Sequence, residues 1–169
     1  VREKVQVLGV DTSLRSTGVG IVTAQGQALA AEYFGLIRNP PKRLHSACLD
    51  HLYKGIQELL SRYELHAVAV EGIFYCKNVR TAMVLGQARG VVLAACAAHG
   101  VPVFEYPPRR VKQAIVGTGG ATKQQVAGMI RSMLGLEAPP PSDAADALAM
   151  AICHIHTHRG PAALAAAPV

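Results

Sequence analysis

The chain has 169 residues, 50% of them hydrophobic and 17% charged, with a formal net charge of +6. That length suits one compact unit with a real core, and the longest unbroken apolar run, Val91 to Ala98, is too short to span a bilayer. The four cysteines, Cys48, Cys76, Cys96 and Cys153, lack C-x-x-C spacing and sit mostly among apolar neighbours, which excludes a disulfide framework and argues against a zinc site.

In chain order, VREKVQVLGV enters a strand pattern without the design of a signal peptide, and a soluble, cytoplasmic protein is expected. The stretch VQVLGVDTSLRSTGVGIVTAQGQALAAEYFGLI predicts three strands: a run ending near Val10, a second through Val19 to Val22, and a third from Ala28 to Ile37. Gly26 between two glutamines marks a hairpin turn. After the polar RNPPKR, apolar residues at Leu44, Cys48, Leu52, Ile56, Leu59 and Tyr63 recur at helical spacing. HAVAVEGIF is a short apolar strand of the kind covered on both faces. A long helix is expected over 79–98, in which Gly86 and Gly90 open one face to another backbone, within the monomer or across a dimer. VPVFEY predicts a fifth strand; RRVKQAIVG, the glycine turn GTGG and a helix over 122–134 follow. Prolines 139–141 then precede a last helix, with Ser142 or Asp143 as its cap. Strands followed by alternating helices and strands predict an α/β fold with a mixed sheet.

That last helix raises a chemical question. Asp143 and Asp146 lie one turn apart in an otherwise apolar segment, SDAADALAMAICHIH, and so share a face where like charges repel. Capping accounts for Asp143 better than for Asp146. Only four aspartates occur in the chain, Asp11, Asp50, Asp143 and Asp146. Asp11 closes the strand VLGVD and Glu71 closes AVAVEG, both at carboxyl ends, where open α/β sheets place their ligands. Either acid alone would pass as a turn cap. Four together suggest convergence around a hard, oxygen-loving ion, Mg²⁺ or Mn²⁺, since histidine and cysteine are absent from these segments. Two such ions about 3.5 to 4 Å apart suit phosphoryl transfer. From Lys77 to Arg131 there are eight basic residues against one acid, Glu105, which implies a polyanionic partner and, with the acids, a nuclease. His154 and His158 of HIHTH share a face, but a solvated, partly protonated helix end explains them better than a metal cluster.

The stretches VEGIFYCKN, LGQARG, VFEYPPRRVKQAIVGTGGATKQQV and SDAADALAMAI together closely resemble the RuvC family of Holliday-junction resolvases, within the ribonuclease H-like or retroviral integrase superfamily. The resemblance runs from VLGVD to about His156. It implies a ribonuclease H-like α/β fold, a five-stranded mixed sheet flanked by helices, as a single nuclease domain over 1–158 with 159–169 as a disordered tail. It implies that Asp11, Glu71, Asp143 and Asp146 are catalytic and bind Mg²⁺, two ions per site with Mn²⁺ as a substitute. Lys112 and Lys123 match basic residues that serve DNA binding and catalysis, and Phe74, beside Tyr75, matches an aromatic that stacks on unpaired bases. Lys77, Asn78, Arg80, Arg109 and Arg110 extend the DNA-binding set, and Gly117 and Gly119 would let DNA approach the backbone. The chain departs from the family at Asp11-Thr12-Ser13, where Asp-Pro-Gly is usual, while Thr17-Gly18 is kept.

The expected activity is therefore paired nicking of four-way DNA junctions by a homodimer in recombination and repair, with metal-activated water attacking phosphorus and RuvA and RuvB as branch-migration partners. Rivals are a nuclease of the same superfamily acting on RNA:DNA hybrids, a catalytically silent junction binder, and an actin-like sugar kinase suggested by GVDTSLRSTG. The chain is too short for the last of these, and GTGGATK is not a G-x-x-x-x-G-K-[ST] loop.

Overall fold

A computed structural model of the chain describes residues 3–72, 76–159 and 166–169. Its element order is β1 (Val5–Asp11), β2 (Ser16–Gln25), β3 (Ala28–Arg38), α1 (His45–Arg62), β4 (Ala67–Glu71), α2 (Val79–Ala98), β5 (Val103–Tyr106), α3 (Pro108–Val116), α4 (Lys123–Leu134) and α5 (Ser142–Arg159). The five strands form one sheet in the order β3-β2-β1-β4-β5. β1, β2 and β3 pair antiparallel, while β1–β4 and β4–β5 are parallel. Gly26, at φ +60°, turns the β2–β3 hairpin in a conformation that side chains with a Cβ rarely adopt.

Strand alternation sorts the core onto two faces. Leu8, Val10, Val19, Ile21, Val68 and Val70 pack against α1 and α2. Val7, Val22, Ala67, Ala69 and Tyr106 pack against α3, α4 and α5. The buried β4, covered on both sides, is the short apolar strand expected.

The alanine content of α5 follows from where it lies. A Cβ at Gly9 would stand 1.7 Å from the carbonyl oxygen of Ala147, and one at Gly18 would stand 2.0 Å from that of Asp143. The helix backbone therefore rests directly on β1 and β2, and only small residues fit the seam. The backbone N–H of Ala145 donates to Pro141 O, so Pro141 takes the cap position expected of Ser142 or Asp143. That leaves the Asp143 carboxylate available for tertiary contacts.

His154 corrects the expectation of a solvated helix end. It is buried, its Nδ1 lies 2.8 Å from the Tyr106 hydroxyl, and its ring stacks on His158 with centroids 4.0 Å apart. Burial, with His158 beside it, pushes its pKa down to about 4, which keeps it neutral. Cys48, Cys96 and Cys153 are buried and unpaired, as expected of packing residues. Val169 N–H donates to Val103 O, while 160–165 of the segment expected to be a disordered tail lie outside the described residues.

The helix α2 buries little of itself: Ala88, Val92, Ala95 and Cys96 face the core, while Val79 and Met83 are 73% and 62% exposed. Among the described residues it is the one helix long and apolar enough to cross a membrane, a property hidden when only unbroken apolar runs are counted.

Candidate active site

Parallel pairing brings the first two acids together. Val10 is level with Val70, so Asp11 and Glu71 leave neighbouring strand ends side by side. Both follow residues packed on the α1–α2 face, and alternation turns both toward α5. Asp143 and Asp146 come from the first turns of α5, which the Gly18 seat presses against the start of β2. The Ser16 hydroxyl, at that start, donates to Asp143 Oδ2 at 2.7 Å.

A cavity of about 200 Å³ opens at this end of the sheet, lined by Asp11, Glu71, Lys112, Lys123 and Asp146, with Val111, Val126, Ala149 and Met150 as its apolar floor. Lys123 opens α4, which is started by a Thr122–Gln125 capping box, and its Nζ stands 3.5 Å from Asp146 Oδ2. Lys112 enters from α3.

The electrostatics are those of crowded anions. Burial, then the charges of Asp146, Glu71 and Asp143, push the Asp11 carboxyl up to about 7 against the pull of Lys123. Glu71 is raised too, by burial and then by Asp146, while Lys123 and Arg89 oppose the rise. Such a site favours a proton or a cation. An all-carboxylate donor set suits a hard divalent ion and offers nothing to a soft one. Among the described residues no three such groups are drawn together at ligating spacing. Ser16 donates to Asp143 and Lys123 to Asp146, so each helix acid already has a partner of its own.

The turn after Asp11 is closed without the usual Pro-Gly. Ser13 N–H donates to Thr17 Oγ1 at 3.2 Å, and the Thr17 hydroxyl donates back to Ser13 O. No described non-glycine residue has positive φ, so Ser13 sits in the turn without strain. The Thr12 hydroxyl is buried with no partner among the described residues.

The remaining expected residues divide by geometry. Phe74 and Tyr75 lie outside the described residues. Lys77 and Arg80 are exposed, whereas the Asn78 side chain accepts from Thr81 N–H and caps α2. The Arg110 guanidinium lies 5.7 Å from the Tyr106 ring centre. Gly117, at φ +85°, ends α3 with open space beside it, while a Cβ at the half-buried Gly119 would meet the Arg109 side chain.

Two contacts were not anticipated from sequence. Ser16 is one. Arg89 of α2 is the other: its Nη1 donates to Glu71 O at 2.6 Å, and its guanidinium pairs with Glu105, so the helix ties a β4 acid to β5. The arginine in LGQARG and the lone acid of the basic segment were the available signals, but their pairing is tertiary.

A five-stranded mixed sheet with carboxylates at the ends of β1 and β4 and on the helix that crosses them is the α/β arrangement of the ribonuclease H-like class. The chain belongs to the RuvC family: residues 7–154 match the family model described as crossover junction endodeoxyribonuclease RuvC. It is 45% identical to the crossover junction endodeoxyribonuclease RuvC of Syntrophomonas wolfei, over 91% of this chain and 90% of that protein. Identity to the RuvC of Photorhabdus laumondii is 47%, over 89% and 86% respectively. The fold superposes on Thermus thermophilus RuvC, solved in complex with Holliday junction substrate, with a TM-score of 0.91 at 34% identity, covering 98% of this chain and 99% of that one. Membership carries a general dependence on divalent metal.

Proposed function

We propose that this protein resolves four-way DNA junctions by paired, symmetric nicks in homologous recombination and repair, as a homodimeric endodeoxyribonuclease. The observation that carries this reading is the meeting of Asp11, Glu71 and Asp146 with Lys112 and Lys123 around one cavity, with Asp143 at its margin. A lone acid would serve as a turn cap; acids and lysines together suit a phosphodiester and the ion that offsets its charge.

Asp11, Glu71, Asp143 and Asp146 hold Mg²⁺, two ions per site, with Mn²⁺ able to replace it. The ions, when bound, neutralise the carboxylates and supply Lewis-acid activation for hydrolysis. Lys112 and Lys123 orient the scissile phosphate and balance charge that develops on it. Ser16 fixes the rotamer of Asp143, and Arg89 fixes the backbone that carries Glu71. Arg109, Arg110, Lys77 and Arg80 contact phosphates, and Phe74 and Tyr75 meet unpaired bases at the crossover. Two cuts need two sites, and the uncovered apolar face of α2 around Met83 and Gly86 is the surface on which a second copy sits. RuvA and RuvB act with the dimer, in the cytoplasm.

The test is cleavage of a synthetic mobile four-way junction by wild type and Asp146→Asn, with Mg²⁺ or with EDTA, beside plain duplex and an RNA:DNA hybrid. Paired, ligatable nicks that require both metal and Asp146 are expected, with junction binding kept in the variant. Cutting of plain duplex, preference for the hybrid, or tight binding without cutting would each reject the resolvase reading.

A further inference from the structure

The cations around the acids so far all lie on the β4–β5 side of the sheet or beyond it. A second group lies on the opposite side. β3 ends at Arg38, which pairs across the sheet with Ser16, the residue whose hydroxyl holds Asp143. Directly opposed residues on neighbouring strands share a face. Arg38 therefore stands on the α5 face, as Asp11 and Glu71 do, while its neighbour Ile37 packs on the α1–α2 face.

The loop that follows is held in place and not merely tethered. Asn39 is buried; its N–H donates to Arg15 O, and its side-chain amide donates to Leu14 O and Cys48 O at 2.8 and 3.1 Å. Arg43 donates to the Asn39 side-chain oxygen at 2.8 Å. Arg15 closes the same loop by donating to Pro40 O at 2.8 Å. This scaffold presents Arg38, Lys42, Arg43 and Arg15 together, and Arg38 also lines a groove at the β3 edge with His51, Glu58 and Arg62 of α1. Arg38 and Lys42 are exposed and have no ion-pair or hydrogen-bond partner among the described residues. A short loop pinned beside two exposed, unpaired cations at the end of β3 calls for an anionic ligand there.

We propose that Arg38 and Lys42, on the scaffold of Asn39, Arg15 and Arg43, form a second phosphate-binding site that grips the duplex arm leaving the acids on the β3 side. The site rests on the nuclease reading above and extends it, because the acid cavity then lies between two sets of cations, Lys112 and Lys123 on one side and this rim on the other. Arg38 is two strand spacings across and two residues along from Asp11, roughly 12 Å. With one phosphate per about 3.4 Å of axis on each strand, the contact falls about three to five nucleotides from the scissile phosphate.

The experiment compares wild type with Arg38→Ala/Lys42→Ala for binding to a synthetic four-way junction in EDTA, from about 50 to 200 mM salt. The double variant should bind roughly tenfold more weakly, and its log K against log[salt] slope should be shallower by about 2, one for each lost phosphate contact. The charge-preserving pair Arg38→Lys/Lys42→Arg should restore the slope, and the melting temperature should not move in either variant. A single neutral methylphosphonate three to five nucleotides from the cut should weaken wild type and leave the double variant unaffected. Wild-type slope and affinity in the double variant, or a loss that no neutral linkage in that range reproduces, overturns the second site. If wild type itself neither binds nor cuts junctions, the nuclease reading has failed instead.

Discussion

At the scale of single residues, Asp11 is the group whose environment makes the sharpest demand. Its carboxyl ordinarily titrates near 3.8 and is pushed to about 7 by burial and three other acids. The folded, metal-free protein thus holds this proton more tightly than the unfolded chain does. Its stabilising effect is fully present below about pH 4 and is lost as pH rises through about 7, by up to a few kcal/mol at about 1.4 per pKa unit. The raised Glu71 acts in the same direction. In EDTA the melting temperature should therefore fall from pH 5 to pH 8, Asp11→Asn should flatten that fall, and Mg²⁺ should stabilise wild type most at the upper end. A flat EDTA profile for wild type would mean that the carboxylates do not crowd one another. The acids themselves could be read from sequence because a carboxylate is conspicuous at a strand end or in an alanine-rich helix. Ser16, Arg89 and Arg38 could not, since a serine, an arginine and a strand-end cation are ordinary until pairing sets what they face.

Among the elements, α5 decides whether the site exists. Its first two turns carry two of the acids, and its height above the sheet is set by glycines on β1 and β2. Gly18→Ala places a methyl group against backbone atoms of Asp143 and Ala144, which cannot swing aside as a side-chain tip can. The variant should be destabilised by about 1–3 kcal/mol or more and should lose on the order of 100-fold in cleavage through displaced carboxylates. Gly86→Ala, facing open space, should leave the urea midpoint of the protomer near or above that of wild type. Comparable midpoints for the Gly18 and Gly86 variants would contradict the seating of α5. The helices and strands were legible because periods of 2 and 3.6 are local properties of the chain, and the expected span of α2 coincides with the observed one. The pinned loop over 39–44 was not, because its order comes from Asn39 reaching Leu14 and Cys48, contacts that no local pattern encodes.

For the whole molecule, the uncovered side of α2 carries the consequence. Val79 and Met83 are exposed, Gly86 and Gly90 have open space beside them, and the same helix holds Glu71 through Arg89. A dimer formed there would set the spacing of two cavities as well as their number. Met83→Asp with Gly86→Arg should give a monomer in sedimentation equilibrium, with nicks on the two strands no longer paired; a dimer of unchanged affinity would move the interface elsewhere. The sequence by itself determined every element but α3, the candidate acids, the basic segment and the resemblance, because hydrophobic period, side-chain chemistry and motif spacing are all carried by neighbouring residues. Tertiary structure alone decided that His154 is neutral and buried, that Pro141 and not Asp143 takes the cap, that Ser16 and Arg89 hold the acids, and that Arg38 stands on their face. The physical reason is common to all four: burial, hydrogen-bond partners and local potential depend on atoms far apart in the chain, and they acquire values only when strand register and helix seating bring those atoms together.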